Sequence, residues 1–247
     1  DGVQHRETGN RTEQDYRESE TKMITIDLLI SWFQEELRCC KTVLDLGCGP
    51  DSIIQFVDTV ECSVGIDYWQ PSVDRSAARG IHTICCQGDI TTIAGHENSF
   101  DAVILVDVLE HLTTEDGRKL LNDMTLWARK KVIVVVPNGE LAQDTDEEGN
   151  EKQKHLSSWY PATLESFGFE VRGFDGWKPL RGEHGNIIPT KTQVGHYALS
   201  ALSILSDPFV RNRPNLAFHL FAVYQKDPGK NTAVCQPDCR VHNVRVH

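Results

Sequence analysis

Between residues 42 and 136 short runs of β-branched and aliphatic residues alternate with longer mixed segments, and no other feature restricts the fold as strongly. The apolar runs fall at 42–46, 63–67, 82–87, 102–106 and 132–136, the last being uninterrupted Val-Ile-Val-Val-Val. Runs this short, with little or no polar face, read as strands buried on both sides. The segments between them have the composition of helices. The clearest, 113–130, opens on Thr113-x-x-Asp116 and closes on cations, the signature of a capped helix. Strands joined by crossover helices run parallel, which predicts a doubly wound α/β sheet. Apolar residues at helical spacing over 23–37 precede the first strand, and 169–174 and 216–226 read as further strands with a helix over 196–205.

The 22 residues before this pattern are polar, charged and poor in aromatics, and read as a flexible leader. Residues 227–247 have no periodicity and read as a flexible tail, leaving 23–226 as one domain, in keeping with a chain of 247 residues. The net charge of −11 opposes a role that depends on gripping nucleic-acid phosphates, so nucleic acid is not the expected partner. No apolar run approaches the roughly 20 residues of a membrane span. The chain begins at Asp1 rather than Met, and its start lacks the basic-then-apolar pattern of a secretion signal. Of eight cysteines, Cys39 and Cys40, and Cys85 and Cys86, are adjacent; strand neighbours face opposite ways and pair poorly. Reduced thiols and a cytoplasmic location are therefore expected.

The first strand runs directly into Asp45-Leu46-Gly47-Cys48-Gly49. Two glycines at a strand end clear the backbone for a ligand, although a tight strand-to-helix turn has the same look. The ligand reading gains from the next strand ends. Asp67 follows Gly47 by twenty residues, where an acid can accept the hydroxyls of a ribose, and Tyr68 beside it offers a ring face. Asp89 and Ile90 end the third strand, a carboxylate for an exocyclic amine beside an aliphatic surface for a base. Asp107, Glu110 and His111 follow the fourth. Open α/β sheets bind ligands at the carboxyl ends of their strands, so these groups share one edge.

Taken in order, VLDLGCGPDS, VGIDYWQPS, QGDI, SFDAVILVDVLEHL and KKVIVVVPNGE resemble the class I S-adenosylmethionine-dependent methyltransferases, over residues 42–174. The remaining chain looks like bacterial and archaeal members of undefined substrate. The resemblance implies a Rossmann-like, doubly wound, mostly parallel sheet with one antiparallel strand and helices on both faces. It also implies S-adenosylmethionine as cofactor, contacted by Asp45, Gly47, Gly49, Asp67, Tyr68, Asp89, Ile90 and Asp107. One departure is Asp51, where many members have a third glycine; with Ser52 it leaves the dinucleotide fingerprint incomplete, against a nicotinamide-dependent oxidoreductase.

Methyl transfer to oxygen needs a base or a metal, whereas transfer to nitrogen can proceed with neither. His155 and His111 are the candidate catalytic residues. Asp107, Glu110, His111 and His155 resemble the divalent-metal set of the small-RNA 2′-O-methyltransferases, with an aspartate in place of the first glutamate. The same Glu-His pair occurs in metal-free members, where it shapes the pocket. The expectation is methyl transfer to O or N of a small molecule. The alternatives are a metal-dependent RNA 2′-O-methyltransferase and a degenerate methyltransferase fold serving as an interaction module.

Overall fold

The computed structural model describes residues 13–141, 154–181, 187–188, 192–227 and 244–245. Among them a seven-stranded sheet forms from β1 (Thr42–Leu46), β2 (Cys62–Asp67), β3 (Ile84–Gln87), β5 (Phe100–Val106), β6 (Ala128–Pro137), β7 (Glu170–Trp177) and β8 (Ala217–Gln225). Its order is β3-β2-β1-β5-β6-β8-β7. β1, β2, β3, β5 and β6 pair in parallel, while β8 runs antiparallel to both neighbours. The chain winds outward from β1 through β2 to β3, then returns to the other side of β1 as β5. The strand order reverses between β1 and β5, which is where such a sheet opens a ligand crevice.

Two apolar layers cover the sheet. Leu44, Leu46, Val103, Leu105, Val134 and Leu220 face α3 (Thr114–Trp127) in one. Val43, Ile104, Ile133, Val135 and Phe221 face Trp32, Phe33 and Leu37 of α1 (Glu13–Leu37) in the other. Alternate strand residues feeding opposite layers are what uninterrupted apolar runs require. Three further helices are α2 (Gln70–Ala78), α4 (Pro161–Glu165) and α5 (Gln193–Arg211). No helix among the described residues is long and apolar enough to cross a membrane.

Several expectations change. α1 begins at Glu13, inside the segment read as a leader, because 13–22 is rich in good helix formers and contains neither Gly nor Pro. Val244–Arg245 forms a short strand, β9, against β4 (Ala94–Gly95), within the segment read as a tail. The helix expected over 113–130 ends at Trp127, and its terminal cations belong to β6 instead. There they meet an acid rather than a helix dipole: Arg129 Nε and Lys130 Nζ each lie 3.3 Å from Asp101 Oδ1. His82, expected in a strand, precedes β3 and packs its buried ring over Gly65. Cys39, Cys40, Cys48, Cys85 and Cys86 are free, but Cys62 is disulfide-bonded, contrary to the expectation of reduced thiols throughout.

Candidate active site

The turn after β1 is held by its own aspartate. Asp45 is buried; its Oδ2 accepts from Ser52 Oγ at 2.5 Å and lies 3.3 Å from His82 Nε2. Ser52 in turn caps the short helical turn Ile53–Phe56 through Ile54 N–H. Gly47 and Gly49 both adopt left-handed backbone, φ +70° and +56°. At Gly47 a side chain is excluded twice, since a Cβ would also stand 2.4 Å from Val108 Cγ2. At Gly49 the space is open, so that backbone faces the cavity bare. Asp67 closes the turn from the neighbouring strand: Oδ2 accepts Gly49 N–H at 2.9 Å and Oδ1 accepts Trp69 N–H at 2.8 Å. Burial raises the Asp67 carboxyl above its usual range, and these two amides oppose that rise.

The cavity here has a volume of about 500 Å³. Asp45, Gly47, Gly49, Asp67, Tyr68, Asp89, Ile90 and Asp107 all line it, as does His111. Asp89 is oriented by Thr91, whose N–H and hydroxyl bond its Oδ1 at 3.0 and 2.7 Å. Ile26 and Leu29 of α1 and Phe56 add apolar wall that the sequence reading did not assign. Asp51, the departure from the glycine pattern, also lines the cavity at its exposed rim and pairs with Arg79.

A second group of side chains adjoins this cavity. Glu110 and His111 sit in the helical turn Leu109–His111 after β5. The segment carrying His155 is fastened to that turn: Leu156 and Ser157 N–H both bond Glu110 O, at 2.8 and 3.1 Å. Trp159 Nε1 donates to Ser157 Oγ at 2.8 Å, and its buried ring fills the space left by Gly117, where a Cβ would meet Trp159 at 2.5 Å. The His111 and His155 rings stand 4.9 Å apart edge to face. One ligand atom from each of Glu110, His111 and His155 lies within 4.8 Å of the others. Asp107 falls outside this trio. Its backbone is left-handed (φ +52°), and its Oδ1 faces His219 at 3.9 Å.

The trio suits a divalent cation. His155 Nδ1 donates to Leu141 O at 2.7 Å, which leaves the Nε2 lone pair for a ligand. Glu110 Oε2 is buried with no hydrogen-bond partner. Burial, and then the charge of Asp107, push the Glu110 carboxyl well above its ordinary range, the condition a cation relieves. The acidic stretch 144–151 and the group Cys235, Cys239, His242 and His247 lie outside the described residues.

The family follows from this geometry and from comparison. Residues 44–136 match the family described as a methyltransferase domain. Through this segment the chain carries a methyltransferase domain, and its motifs and fold are similar to those of the class I S-adenosylmethionine-dependent methyltransferases. S-adenosylmethionine is the cofactor of that class, and the bare Gly49 backbone, Asp67 and the apolar wall at Ile90 fit it. Among curated relatives, the probable tRNA methyltransferase 9B of Bos taurus is 29% identical over 136 residues, 53% of this chain and 28% of its own length. The chain thus spans less than a third of that relative. A methyltransferase from Archaeoglobus fulgidus superimposes with TM-score 0.52 at 15% identity, covering 85% of this chain and 99% of its own. Magnesium protoporphyrin IX methyltransferase from Synechocystis, solved with S-adenosylhomocysteine, gives TM-score 0.51 at 15% identity, covering 89% and 90%.

Proposed function

We propose that this chain transfers a methyl group from S-adenosylmethionine to an oxygen or nitrogen atom of a small molecule. The observation that carries the reading is the gathering of eight residues from four strand ends around one cavity at the point where strand order reverses. The cofactor supplies a methyl carbon activated by sulfonium sulfur. The protein holds that ligand at the β1 turn and brings the acceptor to near-attack distance from the side lined by α1 and the turn after β5. The acid on this side of the cavity, Asp107, favours a neutral or cationic acceptor over a phosphodiester. Calorimetric titration with S-adenosylhomocysteine tests the reading: saturable one-to-one binding supports it, and no binding by folded protein points to a degenerate interaction module.

RNA is the second acceptor class, favoured by the curated relatives, which are named as probable tRNA methyltransferases. The expectation that nucleic acid is not a partner finds no support in those relatives. Filter binding of tRNA at rising salt separates the classes, since phosphate contacts weaken steeply with salt. Glu110, His111 and His155 would hold a divalent cation next to either acceptor, supplying Lewis acidity to a hydroxyl. Titration with Mn²⁺ of the wild type and Glu110→Gln tests this arm: equal heats in both remove the metal.

A further inference from the structure

A cluster of charged side chains on the acceptor side has no part in the reading so far. It is built by a bulge in β7. Pairing with β8 shifts between Phe174 and Trp177, and Asp175 (φ +64°) and Gly176 (φ +77°) both turn left-handed. α5 clamps the bulge. Gly176 N–H donates to Asp207 Oδ1 at 2.7 Å, and a Cβ on Gly176 would stand 2.1 Å from Ser203 Oγ. The bulge aims Asp175 at His219 of β8, whose Nδ1 lies 3.0 Å from Asp175 Oδ2. The other carboxylate oxygen is held by Arg181 and by Thr25 Oγ1 of α1 at 3.1 Å. Thr25 immediately precedes Ile26, which lines the cavity.

The imidazole has one defined orientation. It stacks on Phe174, ring centroids 5.4 Å apart and planes at 29°. A carboxylate only accepts, so Nδ1 carries a proton, and in the neutral imidazole the lone pair is on Nε2. Nε2 faces Asp107, 3.9 Å from Oδ1, and Asp107 is part of the cavity wall. A hydrogen-bonded acid and an oriented imidazole whose Nε2 adjoins a residue of the cavity wall form the arrangement of a general base.

We propose that His219 is a further catalytic residue, the proton acceptor for a hydroxyl or ammonium nucleophile, and that Asp175 is its positioning residue. The proposal rests on the methyl-transfer reading above. His219 Nε2 takes the proton from the acceptor atom. The lone pair left behind forms the new bond to the methyl carbon, while the electrons of the carbon–sulfur bond remain on sulfur. The proton stays on the imidazolium until water removes it. The charged groups that face the ring are Asp107, Asp175 and Arg181. Its recessed position disfavours the imidazolium, but the Asp175 hydrogen bond and the two carboxylates outweigh that and raise the His219 pKa above the ordinary imidazole value.

Sinefungin, which carries an amine where the cofactor carries its methylsulfonium, probes this position without an acceptor. S-adenosylhomocysteine and sinefungin are titrated calorimetrically into wild type, His219→Gln and Asp175→Asn between about pH 6 and about pH 9, the range that spans imidazole titration. S-adenosylhomocysteine is expected to bind all three alike. Sinefungin affinity in wild type is expected to rise about tenfold as the imidazolium discharges, because like charges repel. His219→Gln should abolish that rise, and Asp175→Asn should move its midpoint to lower pH. Should His219→Gln fail to fold, an unmoved midpoint in Asp175→Asn overturns the proposal. A pH response equal in wild type and His219→Gln overturns it also, with the methyltransferase reading intact. No binding of S-adenosylhomocysteine to folded wild type overturns the reading beneath it.

Discussion

The cavity and the side-chain network beside it are built differently. The cofactor end takes its groups from three short stretches, each at the end of a strand: Asp45 to Gly49, Asp67 with Tyr68, and Asp89 with Ile90. Its hydrogen bonds bridge neighbouring turns, as from Gly49 to Asp67 or from Ser52 to Asp45. The proposed acceptor end, beside the cavity, is assembled across the chain. Thr25 meets Asp175 over 150 residues, Asp175 meets His219 over 44, and Trp159 reaches Leu109 over 50. The first end is therefore a property of local turns, and the second a property of how the sheet and its cover pack.

That contrast predicts that the acceptor end is the more sensitive to core damage. Trp159→Ala removes a fully buried ring that fills the hollow over Gly117 and fastens the His155 segment to Leu109. A loss of about 3–5 kcal/mol of stability is expected, the range for truncating a buried aromatic. Chemical denaturation measures it. A loss below about 1 kcal/mol, the size of a surface substitution, would mean that the Trp159 wall is a mobile flap rather than core.

Asp67→Ala acts at the other end, and through affinity. Among the described residues its carboxylate takes no ion pair, and it holds two amide N–H groups of the cofactor turn. S-adenosylhomocysteine binding is expected to weaken by about 1–3 kcal/mol, the worth of hydrogen bonds to a charged group. Comparing the denaturation midpoints of the ligand-free proteins checks that the loss is local. If stability falls as far as affinity, the turn is itself part of the core and the contrast fails.

The same contrast explains what could be read from the sequence. Strand 42–46 and the parallel order were legible, because apolar runs and crossover lengths are local signals. So were Asp67 and Asp89, whose spacing along the chain fixes their place at the sheet edge. The end of α3 differs from the expectation because Arg129 and Lys130 carry the charge of a helix terminus while pairing, from a strand, with Asp101. Asp175 escaped because its role depends on a bulge, and bulges leave little trace in a run such as Phe174-Asp175-Gly176-Trp177. His219 left one sign: it is the only polar residue between Leu216 and Val223.

The charge between Asp107 and Asp175 also sets a direction for stability against pH. The folded state raises the His219 pKa, so folding binds that proton more tightly than the unfolded chain does. The contribution is complete below an unfolded value of about 6.5 and fades as pH climbs through the folded value. Wild type should therefore exceed His219→Gln in stability by more at about pH 5.5 than at about pH 9, on either side of the imidazole range. Urea midpoints at the two pH values measure the difference, and a constant gap would place His219 outside the field of both carboxylates.

The smallest effect expected is chemical rather than thermodynamic, and it compares thiols at the base of the fold with the one inside the cofactor turn. Cys39 is exposed at the end of α1, whereas Cys40 beside it is buried. Burial, with the charge of Asp101, pushes the Cys40 thiol up to about 11. Cys48, between the two glycines, is buried, and burial with the charges of Asp45 and Asp67 raises its thiol further still. Thiolates are the reactive form, so alkylation of native protein followed by peptide mapping should mark Cys39 while sparing Cys40 and Cys48. Ligand should leave that order unchanged, because Cys48 is already shielded by the turn that Asp45 and Asp67 hold. Labelling of Cys48 in ligand-free protein, suppressed by S-adenosylhomocysteine, would show that the turn opens between ligands. The cofactor end would then be the adaptable one and the acceptor end the rigid one.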